Sequence, residues 1–325
     1  MHTVSQLQDL FVSGLEQRTR PAEPAGLYEP IDYIMSLGGK RIRPVMAMMS
    51  CELFGGRPAD AMAAALAVET FHNFTLLHDD IMDEAPLRRG RETVHMRYGV
   101  SQGILSGDLM LIMSYKYLME YPDSELFRAL TASLSDAAVK VCEGQQWDMA
   151  FEGDGEVTIP DYLRMIEYKT AALLASALEM GALTGGASAA DARELYEFGR
   201  LLGLAFQLLD DLLDSFGDPK KFGKKVGGDI SRNKKTYLYL KALELADEHT
   251  RAQLVDLYSH QPAEDAGKIS TVKGIFESLE IPAHTRGVID RYQKEAFSHL
   301  EAINVDDSSK KSLRDLAVQL GVREH

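Results

Sequence analysis

Two clusters of aspartate have a spacing that suits metal binding. Residues 79–83 read DDIMD and residues 210–214 read DDLLD, so both have the pattern Asp-Asp-x-x-Asp. Residues four apart share one face of an α-helix, so the first and last carboxylates of each cluster lie together and repel one another. Hard divalent cations prefer oxygen ligands, and Mg²⁺ usually takes one or two carboxylates together with substrate phosphates. The two clusters predict a site that holds several Mg²⁺ ions around one polyphosphate.

The same clusters could also be ordinary solvated surface in an acidic protein. The chain of 325 residues has 49 Asp and Glu against 35 Lys and Arg, which gives a net charge of −14. One cluster alone fits that explanation as well as it fits a metal site, because short motifs often occur by chance. The second copy, again at the end of an apolar helical run, favours the metal site.

Basic residues accompany both acidic clusters, as fixed cations should at a phosphate site. Arginine binds phosphate in a bidentate manner and lysine acts on it as a point charge. Each basic segment alone would be interpreted as a solubilising surface, but their recurrence beside both clusters favours an anion site. The segments are GGKRIRP at 38–44, RRGR at 88–91, KT at 169–170, GKK at 223–225 and KKT at 234–236.

The elements that must position these residues are predicted to be helices. Segments rich in the good helix formers Ala, Leu and Met recur along the chain. Residues 201–209 are apolar nearly all round, which is typical of a helix buried among other helices. The only short strand candidate, 156–159, is interpreted as a loop, and glycine pairs such as 38–39 and 185–186 mark turns. We predict an all-α fold, a single large helical bundle with one domain over 1–325.

Composition narrows the classes of protein further. A net negative charge argues against nucleic-acid binding, which usually needs a basic surface. Cys51 and Cys142 are the only cysteines, too few for a disulfide framework. No continuous run of about 18 apolar residues predicts a membrane span, since even 61–77 is interrupted by Glu69 and His72. The first residues lack a basic segment followed by an apolar one, so no signal peptide is predicted. We expect a cytoplasmic protein.

Together these motifs resemble the trans-isoprenyl diphosphate synthases, also called polyprenyl synthetases. The matching pieces, in family-like order, are GGKRIRP at 38–44, LLHDDIMD at 76–83, RRG at 88–90, GQ at 144–145, KT at 169–170, FQLLDDLLD at 206–214 and GKKVGGD at 223–229. The resemblance implies an all-α fold with a central cavity and the two acidic motifs facing each other at its mouth. It also implies head-to-tail, all-trans condensation of isopentenyl diphosphate with an allylic diphosphate (dimethylallyl, geranyl or farnesyl), Mg²⁺ ions bound with the substrate diphosphate, and a homodimer.

The resemblance assigns roles residue by residue. The residues expected to ligate Mg²⁺ are Asp79, Asp83 and Asp210, and those expected to support them are Asp80, Asp211 and Asp214. The residues expected to bind the allylic diphosphate are Arg88, Lys169 and Lys234. The residues expected to bind isopentenyl diphosphate are Lys40, Arg43, His72 and Arg89. Lys224, or its neighbour Lys225, matches the family's diphosphate-binding lysine, and Thr170 and Gln207 match positions that contact the reacting carbons.

Residues upstream of the first acidic motif are expected to set the product length. On a helix Thr75 lies four residues before Asp79 on the same face, Phe74 lies one residue further back, and Phe71 is roughly one turn deeper. These aromatics could be ordinary core residues, and periodicity does not separate the two roles. Farnesyl synthases of one type carry aromatics at both the fourth and fifth positions. Phe74 at the fifth position with the smaller Thr75 at the fourth resembles the archaeal-type geranylgeranyl synthases. This resemblance predicts a twenty-carbon product, with farnesyl diphosphate as the alternative.

Three other classes of protein are alternatives to this family. The pair His78-Asp79 is also typical of all-α metal phosphohydrolases, but that class leaves the second acidic motif and GGKRIRP unexplained. A terpene cyclase usually has an Asn/Ser/Glu-based second metal motif, whereas the second motif of this chain is again Asp-Asp-x-x-Asp. A non-catalytic subunit of a heteromeric prenyl synthase commonly loses acidic motifs, whereas both are intact here.

Overall fold

The structure is a computed structural model that describes residues 2–153, 156–217, 227–259 and 266–321. Helices make up most of this part of the chain, which confirms the all-α prediction. The residues 156–158 are irregular and α-helix begins at Ile159, as the loop interpretation of that segment predicts.

The elements before residue 120 include the first acidic motif. They are α1 (Val4–Glu16), α2 (Ala25–Ser36), α3 (Ile42–Leu53), a 3₁₀ turn (Pro58–Ala61), α4 (Met62–Met82), β1 (Leu87–Arg88), β2 (Arg91–Glu92), α5 (Val94–Tyr98) and α6 (Val100–Leu118).

The elements after residue 120 include the second acidic motif. They are α7 (Ser124–Gly153), α8 (Ile159–Ile166), a π-helical turn (Glu167–Ala171), α9 (Ala172–Thr184), α10 (Ala189–Phe216), α11 (Gly228–Ser231), α12 (Tyr237–Leu245), α13 (Glu248–Ser259), α14 (Ala266–Ser278), α15 (Ile281–Ala302) and α16 (Asp307–Gly321). None of the helices in the described ranges is both long and apolar enough to cross a membrane.

The chain divides into two compact units. Unit 1 comprises Met1–Asp136, Ser176–Tyr196 and Ile303–Leu313, and unit 2 comprises Ala137–Ala175, Glu197–Ala302 and Arg314–His325. The first acidic motif belongs to unit 1 and the second to unit 2.

Unit 1 is built around α4. The first half of this helix is rich in alanine and is buried from Ala63 onward, and Phe71 extends the same core. Helix α6 packs closely against the second half of α4, because a Cβ at Gly107 would lie only 2.3 Å from Nε2 of His78. A second apolar cluster joins α2, α4 and α6 through Ile34, Leu77 and Met110. This packing fixes the end of α4, where the aspartates lie.

Unit 2 has its own apolar core. Leu204 and Leu208 of α10 are buried against α8, α12, α14 and α15, which confirms that residues 201–209 belong to a buried helix. Tyr162 of α8 and Phe276 of α14 belong to the same cluster. The core thus holds α8 beside the stretch of α10 that ends in the second acidic motif.

Candidate functional site

The first acidic motif lies at the C-terminal end of α4. Asp79 and Asp80 are in its last turn, and Asp83 is the residue that follows the helix. Carbonyl oxygens give this end of a helix a negative potential, so carboxylates here repel it unless a cation compensates. Arg88 supplies that charge: its Nε donates to Asp80 at 2.7 Å, and its Nη2 lies 3.7 Å from Asp79. Burial nevertheless raises the pKa of Asp80, which is 3% exposed, while Arg88 acts in the opposite direction.

A short β-hairpin positions Arg88 and Arg89. Leu87 pairs with Glu92 and Arg88 with Arg91, and the two loop residues, Arg89 (φ 54°) and Gly90 (φ 75°), both have positive φ. Positive φ at both central residues is the geometry of a type I′ turn, which matches the twist of two antiparallel strands. This hairpin is absent from the sequence-based prediction, although its Arg-Gly loop was the available signal.

The glycine pair before Lys40 receives the guanidinium of Arg89. Arg89 Nη1 donates to the carbonyl of Gly38. A Cβ at Gly39, whose φ is 124°, would lie 2.7 Å from Arg89 Nη2. Glycine is therefore required at this position both for its backbone conformation and for the room it leaves. The GGKRIRP segment and the RRG segment, which are 50 residues apart in sequence, meet at this contact.

A cationic group forms beside this contact. Arg43 Nη1 lies 3.2 Å from Nε2 of His72. Burial, and then the charges of Arg43 and Arg89, hold the pKa of His72 well below its ordinary value, so the imidazole is neutral. Burial also lowers the pKa of Arg43, although Glu69 partly offsets it. Lys40 is exposed. The structure thus brings Arg43, His72 and Arg89 into one electrostatic group.

The residues expected to set product length lie along α4, where the aromatic ones contact each other edge-on. Phe71 is fully buried and its ring centroid is 5.5 Å from that of Phe74, in an edge-on arrangement. Phe74 is half-buried and stands edge-on to His78 at 4.8 Å. Thr75 is half-buried, and its hydroxyl donates to the carbonyl of His72 at 2.8 Å. His78 itself lies 3.2 Å from the carbonyl of Ile104 on α6, so packing between α4 and α6 accounts for it.

The second acidic motif lines a cavity of about 260 Å³ within unit 2. Seven predicted residues line it: Lys169, Thr170, Gln207, Asp210, Asp211, Asp214 and Lys234. Asp229 and Lys235 line it too; they belong to the predicted segments 223–229 and 234–236 but had been given no role. Sequence reasoning did not single out Asp148, Tyr162 and Arg232, which also line it. The wall therefore combines carboxylates with several cations, the donor set that a metal–diphosphate complex requires.

Asp211 is held by donors on both of its oxygens. The hydroxyl of Tyr162 donates to Oδ2, and Nε2 of Gln207 donates to Oδ1 at 3.0 Å. Thr170 in turn donates its hydroxyl to Oε1 of Gln207 at 3.1 Å. Burial and the nearby Asp229 raise the pKa of Asp211 to about 8, although the two donors act against this.

A π-helical turn, Glu167–Ala171, presents Lys169 and Thr170 to the cavity. Such turns are rare and occur frequently at functional sites. Helix α7 approaches it closely, because a Cβ at Gly144 would lie 2.3 Å from the backbone nitrogen of Lys169. One turn along α7, Asp148 forms an ion pair with Lys169 at 2.5 Å. Burial raises the pKa of Asp148, but Lys234 and Lys169 outweigh it and the net shift is downward.

Asp214 is tied to the start of α11. Its carboxylate accepts from the backbone nitrogen of Asp229 at 2.9 Å, and its carbonyl accepts from that of Gly227 at 2.6 Å. Asp229 pairs with Arg232 at 3.1 Å. Asp229 could have been found from the sequence, because it ends the matching piece GKKVGGD at 223–229. Asp148 lies four residues after Gly144, which begins the GQ motif. Lys224 and Lys225 lie outside the described residues.

The donor set fits Mg²⁺ that arrives with its substrate. Within the described residues, no three or more His, Cys, Asp or Glu side chains are grouped closely enough to form a preformed metal site. Mg²⁺ dehydrates reluctantly and is usually bound through one or two carboxylates plus substrate phosphates rather than by an all-protein cage. Asp210 and Asp214 on α10, and Asp79 and Asp83 at the end of α4, can each supply such carboxylates.

Known proteins are similar to this chain in sequence and in fold. The sequence pattern of the polyprenyl synthetase family matches residues 24–275. A short chain isoprenyl diphosphate synthase of Methanothermobacter thermautotrophicus is 37% identical, over 93% of this chain and 92% of that protein. A geranylgeranyl diphosphate synthase of Methanosarcina mazei is 40% identical, over 73% of this chain and 72% of that protein. A crystal structure of a geranylgeranyl pyrophosphate synthase is 46% identical, covers 100% of both chains and has a TM-score of 0.95. The chain belongs to the polyprenyl synthetase family.

Proposed function

We propose that the protein condenses isopentenyl diphosphate with an allylic diphosphate, head-to-tail and all-trans, to form geranylgeranyl diphosphate. Membership of the polyprenyl synthetase family makes it a trans-prenyltransferase. The observation that carries the proposal is the cavity where the aspartates of the second motif meet Lys169 and Lys234. A site with those charges binds a diphosphate and a divalent cation together.

Mg²⁺ is the proposed cofactor. Asp79, Asp83 and Asp210 would hold the ions, with Asp80, Asp211 and Asp214 in support. Bound Mg²⁺ neutralises the charge that develops on a departing diphosphate. The proposed organisation is a single domain over 1–325.

The chain's own cations bind and orient the two substrates in this proposal. Lys169, Lys234 and Arg88 would hold the allylic diphosphate whose C–O bond breaks. Arg43, Arg89 and Lys40 would hold isopentenyl diphosphate, and the neutral imidazole of His72 would hydrogen-bond to it without adding charge. The double bond of isopentenyl diphosphate then attacks the allylic carbon as its C–O bond breaks, and the released diphosphate takes the proton whose loss completes a five-carbon extension. Apolar side chains exclude water, which would otherwise capture the carbocation.

The twenty-carbon product rests on Phe74. If the growing chain extends along α4, Phe74 and the buried Phe71 behind it would form the floor of its pocket. One relative that supports this length is a protein named geranylgeranyl diphosphate synthase in Sulfolobus acidocaldarius, which is 36% identical over 90% of this chain and 89% of that protein. Farnesyl diphosphate is the alternative product.

A homodimer is the proposed assembly. Helix α6 exposes Ile104, Leu105 and Ile112, which are 45%, 59% and 57% exposed, and a second copy would cover such an apolar face. The cytoplasmic location stays a prediction.

The phosphohydrolase alternative is disfavoured by the surroundings of His78. Its imidazole packs between Phe74 and Gly107 and contacts the Ile104 carbonyl, so α6 covers the face that a metal would need.

One assay tests the proposal. Purified protein is incubated with Mg²⁺, isopentenyl diphosphate and, in separate reactions, dimethylallyl, geranyl or farnesyl diphosphate; a chelator-treated sample is the control. We expect geranylgeranyl diphosphate only with Mg²⁺ present. Absence of any prenyl product would overturn the synthase function. A phosphohydrolase would release phosphate without isopentenyl diphosphate, and a non-catalytic subunit would do neither.

A further inference from the structure

A chain of four side chains connects the inner wall of the unit 2 cavity to the π-helical turn. It runs from Tyr162 through Asp211 and Gln207 to Thr170, and each link is a hydrogen bond between side chains. Its outer members, Gln207 and Thr170, are among the residues expected to contact the reacting carbons. Tyr162, at the inner end, has no role in the proposed function.

The donor and acceptor at each link follow from chemistry. The hydroxyl of Tyr162 donates to one oxygen of Asp211, and the NH₂ group of Gln207, which can only donate, donates to the other. An amide that gives its NH₂ to Asp211 turns its carbonyl oxygen the other way, and the hydroxyl of Thr170 donates to that oxygen. The orientation of Gln207, and with it the direction of the Thr170 hydroxyl, therefore depends on how the carboxylate of Asp211 is held.

Tyr162 is well placed to hold it. The residue is 4% exposed and its ring belongs to the apolar core of unit 2. Asp211 is also only 4% exposed, so its carboxylate has little access to water that could replace a lost donor at Oδ2. A buried acceptor left without a donor is costly, and the carboxylate would rotate to regain one. Gln207 would have to follow it.

We propose that Tyr162 is a positioning residue, whose hydroxyl fixes the carboxylate of Asp211 and thereby sets the orientation of Gln207 and Thr170 for prenyl transfer. This inference rests on the proposed function. In that function Tyr162 contacts no substrate and acts only through Asp211.

The first test is a double-mutant cycle of Tyr162→Phe and Thr170→Val, each of which removes one hydroxyl group and keeps the volume. We expect Tyr162→Phe to lower kcat about tenfold to a hundredfold, with both KM values changed less than about twofold. Because two side chains separate Tyr162 from Thr170, coupling between them must pass through Asp211 and Gln207. Thr170→Val should therefore cost less in the Tyr162→Phe background than in the wild type. Purely additive effects, or an unchanged kcat with a lower Tm, would overturn the proposal.

Tyr239→Phe is the matched control. Tyr239 is a buried tyrosine of the same unit that stacks on Tyr258 and does not line the cavity. Its loss of a hydroxyl should leave kcat unchanged. An equal fall in kcat in this control would show a general effect of removing buried hydroxyls and would overturn the proposal.

The second test does not depend on turnover. Crystal structures of the metal-free wild type and of Tyr162→Phe should show Asp211 rotated and the contact between Gln207 and Thr170 broken in the variant. Unchanged side chains would overturn the proposal even if kcat falls. If Tyr162→Phe does not fold, Asp211→Asn breaks the same chain, since its NH₂ would oppose that of Gln207, and a wild-type kcat there would also overturn it. A wild type that makes no prenyl product would instead remove the proposed function.

Discussion

Nε2 of His72 lies 3.2 Å from Nη1 of Arg43, in surroundings that keep the imidazole uncharged. Burial and the neighbouring arginines all disfavour its protonated form. In the folded protein its pKa is therefore depressed, whereas in the unfolded chain it is near 6.5. Between those two values the unfolded state binds more protons than the folded one, so stability falls as the pH is lowered.

This relationship predicts how stability depends on pH. We expect the wild type to lose about 1 kcal/mol of unfolding free energy per pH unit below roughly pH 6.5 through this group alone. His72→Gln, which keeps a neutral polar side chain, should show a shallower slope. Urea unfolding between pH 5 and 7.5 measures the difference. Parallel slopes for the two proteins would show that folding does not lower the pKa of His72.

Removal of an expected metal ligand should abolish turnover without unfolding the protein. Asp79→Ala and Asp210→Ala should each lower kcat by about 10²- to 10³-fold or more, because each removes a carboxylate that neutralises charge during ionisation. Asp136→Ala, an exposed aspartate on α7, is the control and should keep full activity. A radiometric prenyl-transfer assay at saturating Mg²⁺ measures kcat for each variant. A wild-type kcat in Asp210→Ala would show that Asp210 is not a metal ligand.

Arg43 should act on one substrate and not on the other. Arg43→Ala should raise the KM for isopentenyl diphosphate about tenfold to a hundredfold, the effect of losing a charge-assisted hydrogen bond, with the KM for the allylic substrate little changed. Steady-state kinetics with each substrate varied in turn measures this. Lys169→Ala is the complementary variant and should show the opposite selectivity. Equal losses for both substrates in Arg43→Ala would contradict separate diphosphate sites.

Phe74 should limit the length of the product. Phe74→Ala removes a half-buried ring beside Phe71, and products longer than twenty carbons should appear while the Mg²⁺ requirement stays. Chromatography of the dephosphorylated alcohols gives the distribution. Thr75→Val, which changes the side chain four residues before Asp79 with little change in volume, is the control. A distribution unaltered by Phe74→Ala would assign the floor to another residue, and a fifteen-carbon product from the wild type would refute the assignment.

Sequence alone predicted the family, the helical fold and seven of the residues that line the unit 2 cavity. Those predictions depend on local patterns: apolar runs that make 201–209 a buried helix, and acidic motifs with a four-residue spacing. Such patterns lie within a few turns of helix, so they can be recognised without knowledge of the packing.

Features that arise from packing were missed. The ion pair of Asp148 with Lys169 joins residues 21 positions apart and exists only because α7 approaches the π-helical turn at Gly144. Tyr162 was missed as well, since nothing local shows that its hydroxyl meets Asp211 on another helix. The hairpin around Arg89 is two residues long on each side, too short for an alternating pattern to reveal it.

The π-helical turn at Glu167–Ala171 has a consequence for the register of the chain. A π turn contains one more residue than the α-helical turn it replaces, and each residue of an α-helix advances it by about 100°. Deleting any single residue between Ile166 and Ala172 would therefore leave an ordinary α-helical turn, and the helical segments on both sides would keep their orientation. The loss would fall on Lys169 and Thr170, which the wider turn presents to the cavity. The extra residue is a local insertion that widens the wall of a polar site without disturbing the apolar packing on either side of it.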